Sequence, residues 1–259
     1  MAGAAAACAG EPAEPGSGRA SGVAGAAAGG AGAGAGLQGA AGTGATGAGG
    51  VVGAGGVGSS GQGGAGAIPI VACDPAAPPY ASEVISVSYG PGAGFGQAEM
   101  PDIVLGPPKG AGCCAGSLDV LTLGNGGAIV LGFGGRLVRN GPGADFIVFE
   151  NPFQIGGVAD HIYAELATVQ VSEDGASWVT FPCSASAPPY GSCAGWHPVL
   201  QNGDTGPLDP ATAGGDAYDL SDVGLEQARY VRIVDRPDLE GATGLFDLDA
   251  VGLVNFACP

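Results

Sequence analysis

The sequence predicts an all-β domain, an antiparallel β-sandwich, that follows a disordered Gly/Ala-rich N-terminal tether. Three observations support this prediction. Glycine and alanine dominate residues 9–67, whereas aromatic, β-branched and leucine residues are spread through residues 68–259. In the second stretch about nine short β-like runs alternate with Gly, Pro, Asn and Asp. Helical periodicity is weak throughout, and strands joined without helices favour a sandwich.

Residues 9–67 lack the large apolar side chains that would offset the entropy of ordering them. An alanine-rich helix is the alternative, but each interior glycine would cost it about 1 kcal/mol. We therefore predict a flexible linker over 9–67. Residues 68–259 are numerous enough to bury one core, so we predict a single domain there.

Cys8 follows Ala5, Ala6 and Ala7, and this context resembles the end of a bacterial lipoprotein signal. Only seven residues precede Cys8, whereas a signal has a basic region and an apolar stretch of about 7–15 residues. We predict a truncated signal over residues 1–8 with Cys8 as the lipidation site, and an accidental match is the alternative. No run approaches the roughly 20 apolar residues of a transmembrane helix, so the predicted anchor is a lipid.

The chain is strongly acidic, with 24 Asp and Glu residues against 7 Lys and Arg and a formal net charge of −17. Affinity for phosphate backbones and for anionic lipid depends on clustered basic residues. This balance therefore argues against nucleic-acid binding. It suits either a well-solvated extracellular surface or the binding of divalent cations.

Six cysteines in the predicted domain indicate disulfides and an oxidising compartment. Cys183 and Cys193 flank a Pro- and Gly-containing loop and are predicted to pair. Cys73 and Cys258 stand at the two ends of the domain, where chain termini often meet, and form the second predicted pair. The adjacent residues 113–114 either form a vicinal bridge or recruit other partners.

The predicted strands have turn residues between them, and the one plausible helical turn is SDVGLEQAR (221–229), capped by Ser221. In chain order, these strands are EVISVSY (83–89), DIVL (102–105), LDVLTL (118–123), AIVLGF (128–133), DFIVFE (145–150), ELATVQVS (165–172), SWVTF (177–181), RYVRIVD (229–235) and FDLDAVGLVN (246–255).

Two of these segments resemble the late half of discoidin-like, galactose-binding-type jelly rolls. VQVSEDGASWVTF (169–181) is typical of a hairpin with Asp174-Gly175 in its turn and Trp178 opening the returning strand, where we expect that tryptophan in the core. LEQARYVRIVD (225–235) alternates in the manner of the strand that follows such a hairpin. The resemblance implies a jelly roll.

Residues 84–256 as a whole resemble a group of bacterial predicted cell-surface proteins whose activity is not established. This resemblance implies a fold and a surface location, and it supplies no catalytic residues. The matching segments are MPDIVLGPPKGAG (100–112), GSLDVLTLGNGGAIVLGF (116–133), NGPGADFIVFENPF (140–153) and FDLDAVGLVN (246–255).

Acidic residues at strand ends are the candidate metal ligands. Glu150 and Asn151 follow a buried apolar run, Asp235 ends a strand, and Asp247 and Asp249 are two apart, so a strand places both on one face. Calcium prefers such oxygen ligands and needs roughly 6–8 of them. The alternative is ordinary turn chemistry and solvation. A glycosidase acid and base is a further alternative, and it would need a cleft between the carboxylates.

Aromatic residues in loops are the candidate sugar-binding residues. They are Phe153, Tyr190, Trp196 and the neighbouring His197, because exposed rings can stack on sugar rings. The alternative is that Trp196 packs beneath a loop.

Taken together, the sequence predicts a secreted or lipid-anchored bacterial surface domain that binds an extracellular glycan or surface protein without catalysis and is stabilised by calcium. The alternatives are a structural or adhesive module without a small-molecule site, and a secreted hydrolase.

Overall fold

The computed structural model describes residues 73–184, 187–236 and 244–259. The predicted signal over 1–8 with Cys8, the predicted linker over 9–67 and the predicted domain start at residue 68 all lie outside these residues.

The described chain forms fifteen β-strands and four short 3-10 helices. The strands are β1 (Glu83–Ser88), β2 (Leu121–Thr122), β3 (Ala128–Gly132), β4 (Leu137–Arg139), β5 (Phe146–Phe149), β6 (Phe153–Gln154), β7 (Ile162–Tyr163), β8 (Ala167–Ser172), β9 (Val179–Thr180), β10 (Asp216–Tyr218), β11 (Gln227–Ala228), β12 (Tyr230–Asp235), β13 (Asp247–Leu248), β14 (Ala250–Leu253) and β15 (Phe256–Ala257). The 3-10 helices span Gln97–Glu99, Asp102–Val104, Ile155–Gly157 and Leu220–Val223.

The strands pair in antiparallel ladders. The largest sheet has the order β1-β3-β12-β8-β9, and two three-stranded sheets have the orders β10-β5-β14 and β11-β4-β15. Two further pairs, β13-β2 and β6-β7, lie outside these sheets. The predicted all-β, antiparallel class is confirmed for the described residues.

One apolar core joins the five-stranded sheet to the sheet around β5. In β12, Val231 and Ile233 are fully buried whereas their neighbours in the strand are half-buried, with the exception of its last residue. This is the two-residue period of a strand with one covered face. In β5, by contrast, all four residues are buried, as expected for a strand covered on both faces. The side chains of Val231 and Phe146 belong to the same buried cluster.

Two local predictions are wrong. Residues 102–105 do not form a strand: Asp102–Val104 is a 3-10 helix, because the short run between Pro101 and Gly106 closes its hydrogen bonds locally, from Val104 N–H to the Pro101 carbonyl. The turn over Leu220–Val223 is capped by Asp219, whose carboxylate accepts from the Ser221 N–H, and not by the Ser221 side chain.

The cysteines lie in three close pairs. The sulfur atoms are 2.06 Å apart in Cys73–Cys258 and 2.12 Å apart in Cys183–Cys193. The adjacent pair Cys113–Cys114 has its sulfurs 2.35 Å apart. The described cysteines are thus placed compatibly with three disulfides.

Within the part of the chain that the structure describes, no helix is both long and apolar enough to cross a membrane.

Candidate functional site

Glu150 is placed by the central strand of a three-stranded sheet. Strand β5 ends at Phe149, and Glu150, the next residue, is 1% exposed. Neither of its carboxylate oxygens has a hydrogen-bond partner among the described residues. Burial raises its pKa well above the ordinary value, and the charge of Glu165 raises it further, while the Asn151 N–H opposes the rise without reaching hydrogen-bond geometry. Burial therefore favours the protonated form of Glu150, whereas a bound cation would favour its charged form.

Glu165 lies just before β8 and faces the same region. It is 8% exposed, and the Tyr163 hydroxyl lies 3.3 Å from its Oε1 atom. Burial and then the nearby charge of Asp247 raise the pKa of Glu165 to about 7, although hydrogen bonds from Tyr163 and from the Leu245 backbone act in the opposite direction. This carboxyl titrates near neutrality.

Two glycines fit closely against Glu165. Gly195 has a φ of 94°, in the left-handed region, and a Cβ atom there would overlap the Glu165 carbonyl oxygen. A Cβ atom on Gly244 would overlap the Glu165 Oε1 atom instead. Gly195 therefore allows close packing against the backbone of Glu165, and Gly244 leaves space for its carboxylate.

Asp247 completes this group. Strand β13 pairs with β2, which sets Asp247 opposite Thr122, and the Thr122 hydroxyl donates to the Asp247 carboxylate. Burial raises the pKa of Asp247, while hydrogen bonds from Thr122 and the Asn151 side chain oppose the rise. We call Glu150, Glu165 and Asp247 the acidic cluster. The charges of Glu165 and Asp247 raise the pKa of Glu150, and the charge of Asp247 also raises the pKa of Glu165.

The other predicted metal ligands make structural hydrogen bonds. The Asp235 carboxylate accepts from the N–H groups of Gly126 and Phe246, at 2.9 and 2.8 Å. Both oxygens of Asp249 accept from the Lys109 N–H, at 3.1 and 3.0 Å. Burial raises the pKa of Asp249 to about 7, and this hydrogen bond acts in the opposite direction. Each carboxylate thus ties two distant segments of backbone together.

Asn151 contacts the acidic cluster, whereas Asp249 binds elsewhere. The Asn151 amide donates to the Ser117 carbonyl at 2.9 Å as well as contacting Asp247. Asp249 lies in the break between β13 and β14, so the continuous strand predicted over 246–255 is divided there. The Asp247 carboxylate lies near Glu165, whereas the Asp249 carboxylate accepts from the Lys109 N–H.

An aromatic pair borders the acidic cluster. Phe153 in β6 and Tyr163 in β7 are opposite each other, and their rings stack with centroids 5.2 Å apart. Both residues are half-buried. Because the Tyr163 hydroxyl contacts Glu165, an apolar ring surface and the carboxylates lie side by side.

The remaining predicted sugar-binding residues lie on the neighbouring loop. Tyr190 is 6% exposed and packs edge-on against Trp196, so its ring offers little surface to a ligand. The Trp196 and His197 rings have centroids 3.7 Å apart. His197 is anchored, since its Nδ1 atom lies 2.7 Å from Oδ1 of Asp216, and it is the more exposed of this group, with a side chain 49% exposed.

This arrangement offers oxygen ligands to a cation and a ring surface to a sugar. The described His, Cys, Asp and Glu residues contain no group of three already arranged around a metal ion. A bound calcium ion would therefore also need side-chain movement or other oxygens, such as those of Thr122 and Asn151, to reach roughly 6–8 ligands.

Sequence analysis missed Tyr163, Glu165 and Asp216. The first two are separated by buried Ala164, so an alternating pattern places them on one face, and this signal was present in the sequence. Asp216 gave no such signal, because its role depends on contacts with residues 195–197 that are distant in the chain.

No protein-family model matches the chain, and a comparison with curated proteins finds no match.

Proposed function

We propose that this chain is a non-catalytic binding domain, secreted or displayed on a bacterial surface, that binds an extracellular glycan at a calcium-stabilised edge. The edge is formed by the acidic cluster and the Phe153–Tyr163 pair. At this edge an apolar ring surface lies against acidic side chains. Sugar recognition uses both kinds of group.

The observation that carries the proposal is the state of Glu150. A buried carboxylate without a hydrogen-bond partner costs roughly 1–3 kcal/mol, and more if charged. Glu165 and Asp247 add negative charge beside it. A divalent cation would reverse this cost, because the same burial that disfavours an isolated charge strengthens its attraction to an ion.

The proposal also specifies the fold of the domain and its location. The shared core between the five-stranded sheet and the sheet around β5 supports a β-sandwich of the jelly-roll, galactose-binding-like kind. The three close cysteine pairs support an oxidising compartment. Lipidation at Cys8 would tether the domain to a membrane through residues 9–67.

A second candidate function, glycoside hydrolysis, is favoured by one observation. Burial raises the pKa of Glu165 to about 7, the range in which a carboxyl can act as a general acid at neutral pH. Asp247 would then serve as its partner carboxylate. Release of reducing ends from a bound glycan, lost in Glu165→Gln, would establish this function instead.

A glycan array with the full chain tests the proposal, read in Ca²⁺ and again in excess EDTA. We expect calcium-dependent binding that Phe153→Ala lowers at least tenfold. Phe95→Ala is the matched control, because Phe95 is 52% exposed and lies outside the edge. Absence of glycan binding in both buffers, with the protein folded, would refute the proposal and favour a structural or adhesive module.

A further inference from the structure

The outer face of the five-stranded sheet carries a row of residues that the proposed edge does not use. In register, Ser86 of β1 lies opposite Val130 of β3, and Val130 lies opposite Arg232 of β12. Arg232 is in turn opposite Gln170 of β8. The residues on either side of Arg232 in β12 are buried, so Arg232 projects away from the core.

Trp178 packs against this row at Arg232. The Arg232 guanidinium carbon is 5.6 Å from the centre of the Trp178 ring, within the range of a cation–π contact. Both residues are half-buried. A groove of about 270 Å³ opens beside them, with walls that include Ser86, Ser88 and Val130. Pockets for drug-sized ligands begin at about 300 Å³, so a groove of this volume is limited to a smaller ligand.

Arg232 finds no acceptor within residues 73–184, 187–236 and 244–259. Among the described residues its guanidinium has no ion pair and no hydrogen bond. By contrast, Lys109 pairs with Asp119 at 2.7 Å, and Arg136 donates to the carbonyls of three residues, Phe133 among them. In a chain with 24 acidic residues, a groove that presents a guanidinium without a carboxylate favours a ligand that brings one.

We propose that this groove is a second binding site, independent of the acidic edge, for a saccharide that carries a carboxylate on its ring. The sugar ring stacks against Trp178, the Arg232 fork binds the carboxylate through two hydrogen bonds, and the hydroxyls of Ser86 and Ser88 bind ring hydroxyls. A planar carboxylate matches the two parallel N–H donors of the guanidinium fork, so the ligand is a uronic-acid glycan rather than a sulfated one.

Titration of the full chain with oligogalacturonate, followed by isothermal calorimetry in EDTA, tests this site. The methyl-esterified oligogalacturonate is the matched probe, because it keeps the ring and loses the charge. We expect the acid to bind at least tenfold more tightly than its ester. Arg232→Gln and Trp178→Ala should each weaken acid binding at least tenfold, and Arg232→Lys should recover only part of it, since lysine lacks the fork.

Two controls separate this proposal from its alternatives. Arg229→Gln removes a half-buried arginine one residue before β12 and should leave binding unchanged. Phe153→Ala disrupts the proposed edge and should also leave it unchanged, so the two proposals fail separately. Equal binding of acid and ester, unchanged binding by a folded Arg232→Gln variant, or no binding of the acid at millimolar concentration would each overturn the proposal.

Discussion

Glu165→Gln should remove a large part of the pH dependence of stability. An acid whose pKa is higher in the folded than in the unfolded state binds protons preferentially when folded, so its contribution to stability is lost as pH rises. For Glu165 the pKa rises from 4.5 in the unfolded chain to about 7 in the folded chain. Stability is therefore lost as the pH rises through the range between these two values and slightly above it. Glutamine resembles the protonated carboxyl and has no charge to lose.

The magnitude follows from that displacement. At 1.36 kcal/mol for each tenfold change in proton affinity, the displacement corresponds to about 3 kcal/mol. Relaxation of the surrounding side chains and penetration of water reduce the expected effect to about 1–2 kcal/mol. Between pH 5 and pH 8 the wild-type chain should therefore lose about 1–2 kcal/mol more free energy of unfolding than Glu165→Gln, with their stabilities nearly equal at pH 5.

Urea unfolding of the full chain in EDTA, at pH values from 5 to 8, measures this difference. Comparing the two proteins cancels the contributions of groups that Glu165 does not perturb, including Asp249 with its pKa of about 7. Glu99→Gln is the control, because Glu99 is exposed and should leave the pH profile of the wild type unchanged. Parallel profiles for wild type and Glu165→Gln would refute the inferred burial of Glu165 beside Asp247.

Two further predictions concern the packing around Glu165, and a third concerns the cysteine pairs. Gly244→Ala should abolish calcium binding with less than about 1 kcal/mol lost in urea unfolding, because the atom it displaces is the mobile end of Glu165. Gly195→Ala should instead destabilise the fold by about 1–3 kcal/mol or more in the same assay, since its left-handed φ and its contact with the Glu165 backbone offer no relief. Serine replacement of Cys73–Cys258, with a separation of 185 residues, should lower the unfolding free energy more than replacement of Cys183–Cys193, with a separation of 10, by about 2.5 kcal/mol in the loop-entropy treatment. Equal losses for the two pairs would contradict that treatment.

The sequence predicted the strands in which the order of apolar and polar residues matches their burial in the core. The alternation in β12 and the unbroken apolar run in β5 both correspond to their burial in the structure. Residues 102–105 were predicted wrongly, since four residues between a proline and a glycine are too few for composition to separate a strand from a 3-10 turn.

The composition of the site was harder to predict, because it depends on contacts between distant segments. Glu150 was singled out from its position after β5, but its neighbour Glu165 is brought there by packing against Gly195 and Gly244. Trp178 was predicted in the core and instead lies half-buried over Arg232. Strand β9, which follows it, is at a sheet edge, where one side lacks a neighbouring strand to cover it.

The most direct test of the account is calorimetric titration of the full chain with Ca²⁺ at pH 7, in two buffers with different ionisation enthalpies. Because burial raises the pKa of both Glu150 and Glu165, calcium binding at these carboxylates should release protons, and the measured heat should therefore differ between the buffers. Glu150→Gln should lose this binding, whereas Glu99→Gln should retain it. Absence of calcium binding at millimolar concentration, or binding that Glu150→Gln leaves unchanged, would contradict the assignment of the acidic cluster as a calcium site.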